Sequence, residues 1–317
     1  MKVVFMGTPD FAVSTLEAIY NAGHEVVLVV TQPDKPRGRS CKLVPSDVKA
    51  WALEHNLEVF SPDRIKKAEN VEFLKKFEAD IFVVTAYGQM LSQEILDMPR
   101  LGCVNVHASL LPRYRGAAPI QWAIINGDEI TGVSTQMMEL SCDTGDILQS
   151  IEYRIADDET GGSLFDKLAV LGGQIAVSTI EALEKGQITR TKQDESKATH
   201  VSMFSKEFGK IDFSKPAIEI ERLIRGLNPW PSAYTSLGTK TLKLWSAKVQ
   251  KADELKLQEG SKLAPGQVVA VNKDSFVVAC GEDYLQILEL QLEGKKRMAT
   301  GDFLRGYSLE AGQLLGE

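Results

Sequence analysis

The chain is poor in cysteine. Cys41, Cys103, Cys142 and Cys280 are its only four, and no two of them form a C-x-x-C pair. That spacing excludes a zinc ribbon or a disulfide framework and points to a reduced, cytoplasmic setting. The four histidines, His24, His55, His107 and His200, also lack metal-ligand spacing, so no metal is expected. No apolar run approaches the roughly 20 residues of a membrane span. The opening run Lys2-Val3-Val4-Phe5-Met6 is punctuated too soon to be a secretory leader. A dinucleotide fingerprint is missing as well. After the first apolar run, Gly7-Thr8-Pro9-Asp10-Phe11 has proline where G-x-G-x-x-G needs its second glycine, and the second run ends in Thr31-Gln32 rather than an acid. A nicotinamide-dependent dehydrogenase is therefore a poor reading. No low-complexity tract or internal repeat is present.

What remains is ordinary globular composition, 44% hydrophobic and 25% charged. A chain of 317 residues is too long for one ordinary core, so two domains are expected. The net charge of −7 is unevenly spread. Residues 208–317 carry 15 Lys and Arg against 14 Asp and Glu, a balance of +1, which leaves −8 for residues 1–207. A near-neutral second half beside an acidic first half is a weak sign of a polyanion-binding surface.

Strand and helix patterns alternate through the first part. Apolar runs at 3–6, 25–31, 80–85, 103–107, 133–138 and 147–155 read as strands, and 11–22 and 163–183 as amphipathic helices. This βα alternation predicts an α/β domain with a doubly wound, mostly parallel sheet, whose ligand crevice lies at the carboxyl ends of the strands. The polar run 189–199 has no apolar period and reads as a linker. Beyond it, a helix at 218–225 and the turn Asn228-Pro229-Trp230-Pro231 precede short strands at 233–236, 241–247, 267–271, 275–279 and 285–290. That spacing suggests a small C-terminal β-barrel of the oligonucleotide-binding type. The expected boundaries are 1–188 for the catalytic domain, 189–207 for the linker and 208–317 for the barrel.

The chemistry gathers in Asn105-Val106-His107-Ala108-Ser109-Leu110-Leu111-Pro112 and in Asp143-Thr144-Gly145. Asn105 and His107 are two apart in a strand and point to one face. An amide and an imidazole side by side can hold a developing oxyanion, with a carboxylate to orient the imidazole and balance its positive charge. Taken alone, a histidine at a strand end also serves as a structural hydrogen bonder, and an Asp-x-Gly-Asp run as a turn. Cys103 and Cys142 read as small core residues rather than nucleophiles. The segment 34–49 holds Arg37, Arg39, Lys42 and Lys49 among Pro33, Pro36, Gly38 and Pro45, a basic loop suited to phosphate contacts or base stacking.

Gly7-Thr8-Pro9-Asp10-Phe11, the Asn105 to Arg113 segment, Gly116-Ala117-Ala118-Pro119-Ile120-Gln121, Asp143-Thr144-Gly145-Asp146 and Asn228-Pro229-Trp230-Pro231-Ser232-Ala233 occur in one order along the chain. As a set they resemble the methionyl-tRNA formyltransferase family of folate-dependent formyltransferases, over essentially the whole length. The resemblance implies a catalytic triad of Asn105, His107 and Asp143, and a folate-binding loop of Ser109, Leu110, Leu111 and Pro112. Ala86-Tyr87-Gly88-Gln89-Met90 would also line the pterin pocket. It further implies 10-formyltetrahydrofolate as cosubstrate, methionyl initiator tRNA as partner, and tRNA contacts from Arg39 and Lys42. A working monomer without membrane association is expected. The triad alone does not separate this activity from formylation of an amino-sugar or glycinamide nucleotide. The basic loop and the second domain favour tRNA.

Overall fold

The computed structural model describes residues 1–37, 42–255 and 263–316. In chain order the N-terminal elements are β1 (Lys2–Gly7), α1 (Asp10–Asn21), β2 (Glu25–Val30), β3 (Lys35–Arg37), β4 (Lys42–Val44), α2 (Asp47–Glu54), β5 (Val59–Phe60), α3 (Ala68–Lys75), β6 (Ile81–Thr85), α4 (Gln93–Leu96), β7 (Cys103–His107), β8 (Arg115–Gly116), α5 (Pro119–Ile125), β9 (Ile130–Met137), β10 (Ile147–Arg154) and α6 (Gly161–Glu184). Then come β11 (His200–Val201), α7 (Ala217–Gly226), β12 (Ala233–Leu237), β13 (Lys240–Gln250), β14 (Val268–Val271), β15 (Phe276–Ala279), β16 (Tyr284–Leu292), β17 (Met298–Ala299) and α8 (Thr300–Gly306).

The chain divides into two compact units. The first is Met1–Pro119, Ile130–Arg154 and Phe165–Val201, and the second is Ile120–Glu129, Ile155–Leu164 and Ser202–Glu317. The first unit is built on a seven-stranded sheet in the order β10-β9-β7-β6-β1-β2-β5. Its central pairs β1–β2, β1–β6, β6–β7 and β2–β5 are parallel, and β9 and β10 add antiparallel edge strands. The central strands are apolar on both faces because helices cover both: Val3, Val4, Phe5 and Met6 are all fully buried. Helix α1 buries Phe11, Ala12, Thr15, Leu16 and Ile19, one stripe at helical spacing. From β1 the chain adds β2 and β5 on one side, then returns to add β6 and β7 on the other. The reversal between β1 and β6 creates the crevice where this fold class binds ligands. Thr8 Oγ1 donates to Tyr87 O there at 2.9 Å, tying together the loops that follow the two strands.

The second unit is an antiparallel sheet in the order β12-β13-β16-β15-β14, with β17 paired to β16. Its core joins Leu242, Leu244, Phe276, Val278, Leu285, Ile287 and Leu290 to Ile220 and Ile224 of α7. The C-terminal tail runs between the two outer strands. Val268 N donates to Gln313 O, Leu315 N to Gly266 O and Gly316 N to Ser236 O, at 2.8, 2.9 and 3.0 Å, so the sheet closes through the tail. Among the described residues, no helix is long and apolar enough to cross a membrane.

Candidate active site

Strand β7 ends at the same sheet edge as β1 and β6, and its register places Asn105 beside Val84 of β6 and Gln136 of β9. His107, the last residue of β7, is only 7% exposed. Its Nε2 lies 2.9 Å from Tyr114 O. A carbonyl can only accept, so Nε2 carries a proton, and Nδ1 is the nitrogen that can gain or lose one. Nδ1 faces Asp143 Oδ1 at 3.8 Å, within ion-pair range but too long for a hydrogen bond. Asn105 Nδ2 donates to the same Oδ1 at 3.2 Å. Asn105, His107 and Asp143 are thus brought together from positions 38 residues apart in sequence.

Asp143 is held from several directions. Oδ1 also accepts from Gln136 Nε2 at 2.9 Å, and Oδ2 accepts from Gly116 N at 2.8 Å and from the Cys142 thiol at 3.2 Å. Its backbone is left-handed, with φ of +55°. Gly145 permits this turn by close approach: a Cβ there would sit 1.7 Å from Met137 O. Gly116 is required on both counts, since its φ is +98° and a Cβ would meet Val201 O at 2.5 Å.

Cys103 is buried as expected, and its Sγ turns to Ile95 O. Cys142 is not a core residue: it is exposed, in the turn that carries Asp143, with its sulfur on the carboxylate. Partial burial first, then the charge of Asp143, pushes its thiol up to about 11, so it is a protonated donor rather than a nucleophile.

In the loop after β7, Ser109 Oγ donates to Arg113 O at 2.7 Å, and Ser134 Oγ donates to Ser109 O. Leu111 is buried and its N donates to Ser134 Oγ. Leu110 and Pro112 keep part of their surface accessible. In the loop after β6, the Tyr87 ring is buried in the core, and burial pushes its phenol up from the usual value. Ala86, Gly88 and Met90 are exposed, while Gln89 braces the chain at Ile65 N and Pro62 O. Arg39 lies outside the described residues, and Lys42 opens β4. Among the described residues, no group of three His, Cys, Asp or Glu could hold a metal ion.

Sequence reasoning missed Gln136, Arg115 and Gln193. Gln136 had a weak signal, since strand alternation puts it on the same face of β9 as Ser134. Gln193 had none, because it lies in the run that reads as a linker. Its Nε2 donates to Asp143 O at 2.9 Å and Gly145 O at 2.7 Å, and its Oε1 accepts from Arg115 Nε and Nη2 at 3.0 and 2.8 Å.

Residues 1–180 match the model of the formyl transferase family, and residues 203–308 match the formyl transferase C-terminal domain. The chain is 57% identical over 312 residues to a methionyl-tRNA formyltransferase of Agathobacter rectalis, covering 98% of each chain. It is 56% identical to a methionyl-tRNA formyltransferase of Lachnospira eligens, covering the whole of both. Among solved structures it is similar to a sugar 3N-formyl transferase crystallised in the presence of dTDP and 5-N-formyl-THF. That match has a TM-score of 0.64 at 18% identity and covers 93% of this chain and 99% of the other. At that identity the likeness speaks for the fold.

Proposed function

The chain belongs to the methionyl-tRNA formyltransferase family, and we propose that it moves the formyl group of 10-formyltetrahydrofolate to the α-amine of methionyl initiator tRNA through Asn105, His107 and Asp143. The observation that carries this reading is the gap between His107 and Asp143. At 3.8 Å the carboxylate faces the imidazole without occupying Nδ1. A proton on Nδ1 therefore remains free for a substrate oxygen while the carboxylate balances the charge. Asn105 Nδ2 has two hydrogens and uses one on Asp143, which leaves the other for the same oxygen. Two such donors on one face of β7 fit a carbonyl oxygen that becomes negative during acyl transfer.

The acceptor amine has an ordinary pKa of about 7.7–8.0, so a useful fraction is already neutral and nucleophilic. Its nitrogen adds to the formyl carbon while the formyl oxygen takes the negative charge, and the bond from that carbon to the folate nitrogen breaks as the oxyanion collapses. The amine proton leaves toward the Asp143 side, and the folate nitrogen takes one up. No covalent enzyme intermediate is required. Leu110 and Pro112 beside His107, and Ala86 and Gly88 beyond β6, are the surfaces that would receive the folate ring system. Arg39 and Lys42 are assigned to the tRNA, residues 1–188 to catalysis, residues 189–207 to the linker and residues 208–317 to holding the nucleic acid. The enzyme works as a cytoplasmic monomer.

The deciding assay is formyl transfer from 10-formyltetrahydrofolate to methionyl initiator tRNA, with uncharged tRNA and free methionine as controls. Formylation of the charged tRNA alone is the expected result. No transfer by folded protein with intact cosubstrate would overturn this reading and redirect the search to amino-sugar and glycinamide acceptors.

A further inference from the structure

We infer that Gln193, carried by the polar run that follows α6, is a positioning residue for Asp143, locked in place by Arg115 and Glu195. The inference rests on Asp143 being the reactive carboxylate.

Arg115 is the largest fully buried side chain among the described residues, 1% exposed. A buried guanidinium needs all its donors satisfied and its charge balanced. Glu195 balances it with a two-pronged contact, Nη1 to Oε2 at 2.9 Å and Nη2 to Oε1 at 2.7 Å. Two further donors, on Nε and Nη2, converge on Gln193 Oε1. That fixes the amide: its oxygen must face the guanidinium, so its NH₂ must face the other way. There it meets three acceptors, Asp143 O, Gly145 O and Gln136 Oε1, the last at 3.2 Å. Gln136 is oriented in turn, because its oxygen is directed at Gln193 and its NH₂ at Asp143 Oδ1. Flipping either amide would set like groups against each other.

From Arg115, held by Glu195, the donors therefore run in one direction through Gln193 and Gln136 to the carboxylate. Gln193 also pins the left-handed backbone of Asp143 directly. The neighbours of Gln193 from position 191 to 197 are all exposed, whereas Gln193 is half-buried. The segment itself is fastened by Thr199 O, which accepts from Arg115 N, and by the pairing of β11 with β8. Arg115 and Gly116 thus hold Asp143 from both ends, one through Gln193 and the other through its own N–H on Oδ2.

The test compares Gln193→Glu, Gln193→Leu and Asp143→Asn in steady-state formyl transfer. Glutamate keeps a partner for Arg115, and so keeps the segment folded, but cannot donate to Asp143, Gly145 or Gln136. Leucine removes both sets of bonds. For both Gln193 variants the expected result is a kcat at least tenfold lower, with KM for folate and for tRNA within threefold of wild type. Gln193→Glu should still unfold in one cooperative step, with a midpoint no lower than that of Gln193→Leu. A kcat within threefold of wild type for Gln193→Glu, or a loss confined to KM, overturns the inference. If Gln193→Leu fails to fold, Gln193→Glu decides alone. Asp143→Asn separates the two readings. If it is inactive while Gln193→Glu is normal, only the positioning role falls. If Asp143→Asn is itself normal, the carboxylate reading falls and the positioning role with it.

Discussion

Around Asp143 the first unit buries or half-buries Asn105, His107, Arg115, Gln136 and Gln193, and each is bonded to another member of the set or to the backbone beside it. The second unit is filled by a different kind of interior. Phe276, Val278, Leu285, Ile287 and Leu290 are all 0% exposed, and together with α7 they form one apolar cluster. Apolar packing is non-directional, so it makes a stable body but does not fix a single atom to within a fraction of an ångström. A connected polar set does the reverse. It adds little net stability, because each bond replaces one to water, yet it admits few arrangements of its members. Damage to the two regions should therefore be read out differently, in stability for one and in rate for the other.

The largest effect should come from the apolar interior. Phe276→Ala is expected to cost about 3–5 kcal/mol of stability, measured by urea unfolding, while kcat of the still-folded protein stays within threefold. A collapse of kcat in the folded variant would break the contrast. Next come Asn105→Ala and His107→Ala. Each should lower turnover at least a hundredfold, about 2.7–4 kcal/mol of barrier for a lost oxyanion donor, with the unfolding midpoint little changed. Near-normal turnover would remove that residue from the chemistry. Smaller again is Arg39→Ala. It should weaken use of tRNA and flatten the dependence of log affinity on log salt by about one unit for a lost phosphate contact. A salt series identical to wild type would sink the contact.

The smallest effect sharpens the contrast inside the first unit. Burial, reinforced by the N-terminal charge, holds the His24 imidazole below its ordinary value, and its Nε2 is buried with no partner among the described residues. In the window between that lowered value and the ordinary value of about 6.5, the unfolded chain binds more protons than the folded one. Stability is therefore complete above about 6.5 and falls as the pH drops through the window. Between pH 7.5 and 5.5 the wild-type chain should lose more thermal stability than His24→Gln, with no difference in kcat. Equal losses would show that His24 contributes nothing to the pH dependence.

Much of the scaffold was legible because it follows from side-chain period. Strand β7 begins at Cys103 and ends at His107 as the apolar run indicates, and α1 lies within one residue of its amphipathic stripe. Asn105 and His107 could be paired because strand alternation is local. The approach of Asp143 to them depends on a left-handed turn and on Gly145 lying against Met137 O, and neither has a periodic signature. Cys142 was misread for the same reason: a thiol between a serine and an aspartate has no period to reveal which way it faces. Gln193 was illegible because its partners lie about 50 to 78 residues away and its own neighbours are solvated. Polar runs without period are where sequence reading stops and three-dimensional hydrogen bonding begins.

The tail that passes between β14 and β12 bears on how the protein behaves in a crowded solution. An outer strand with free N–H and C=O groups is a template onto which another chain can pair. Gln313, Leu315 and Gly316 bond to Val268, Gly266 and Ser236, and Leu315, 3% exposed, anchors them in the core. The last few residues thus keep two strand edges from recruiting a second copy. Shortening the chain ahead of Gln313 would leave the core strands in place but turn a self-contained barrel into one that associates with itself.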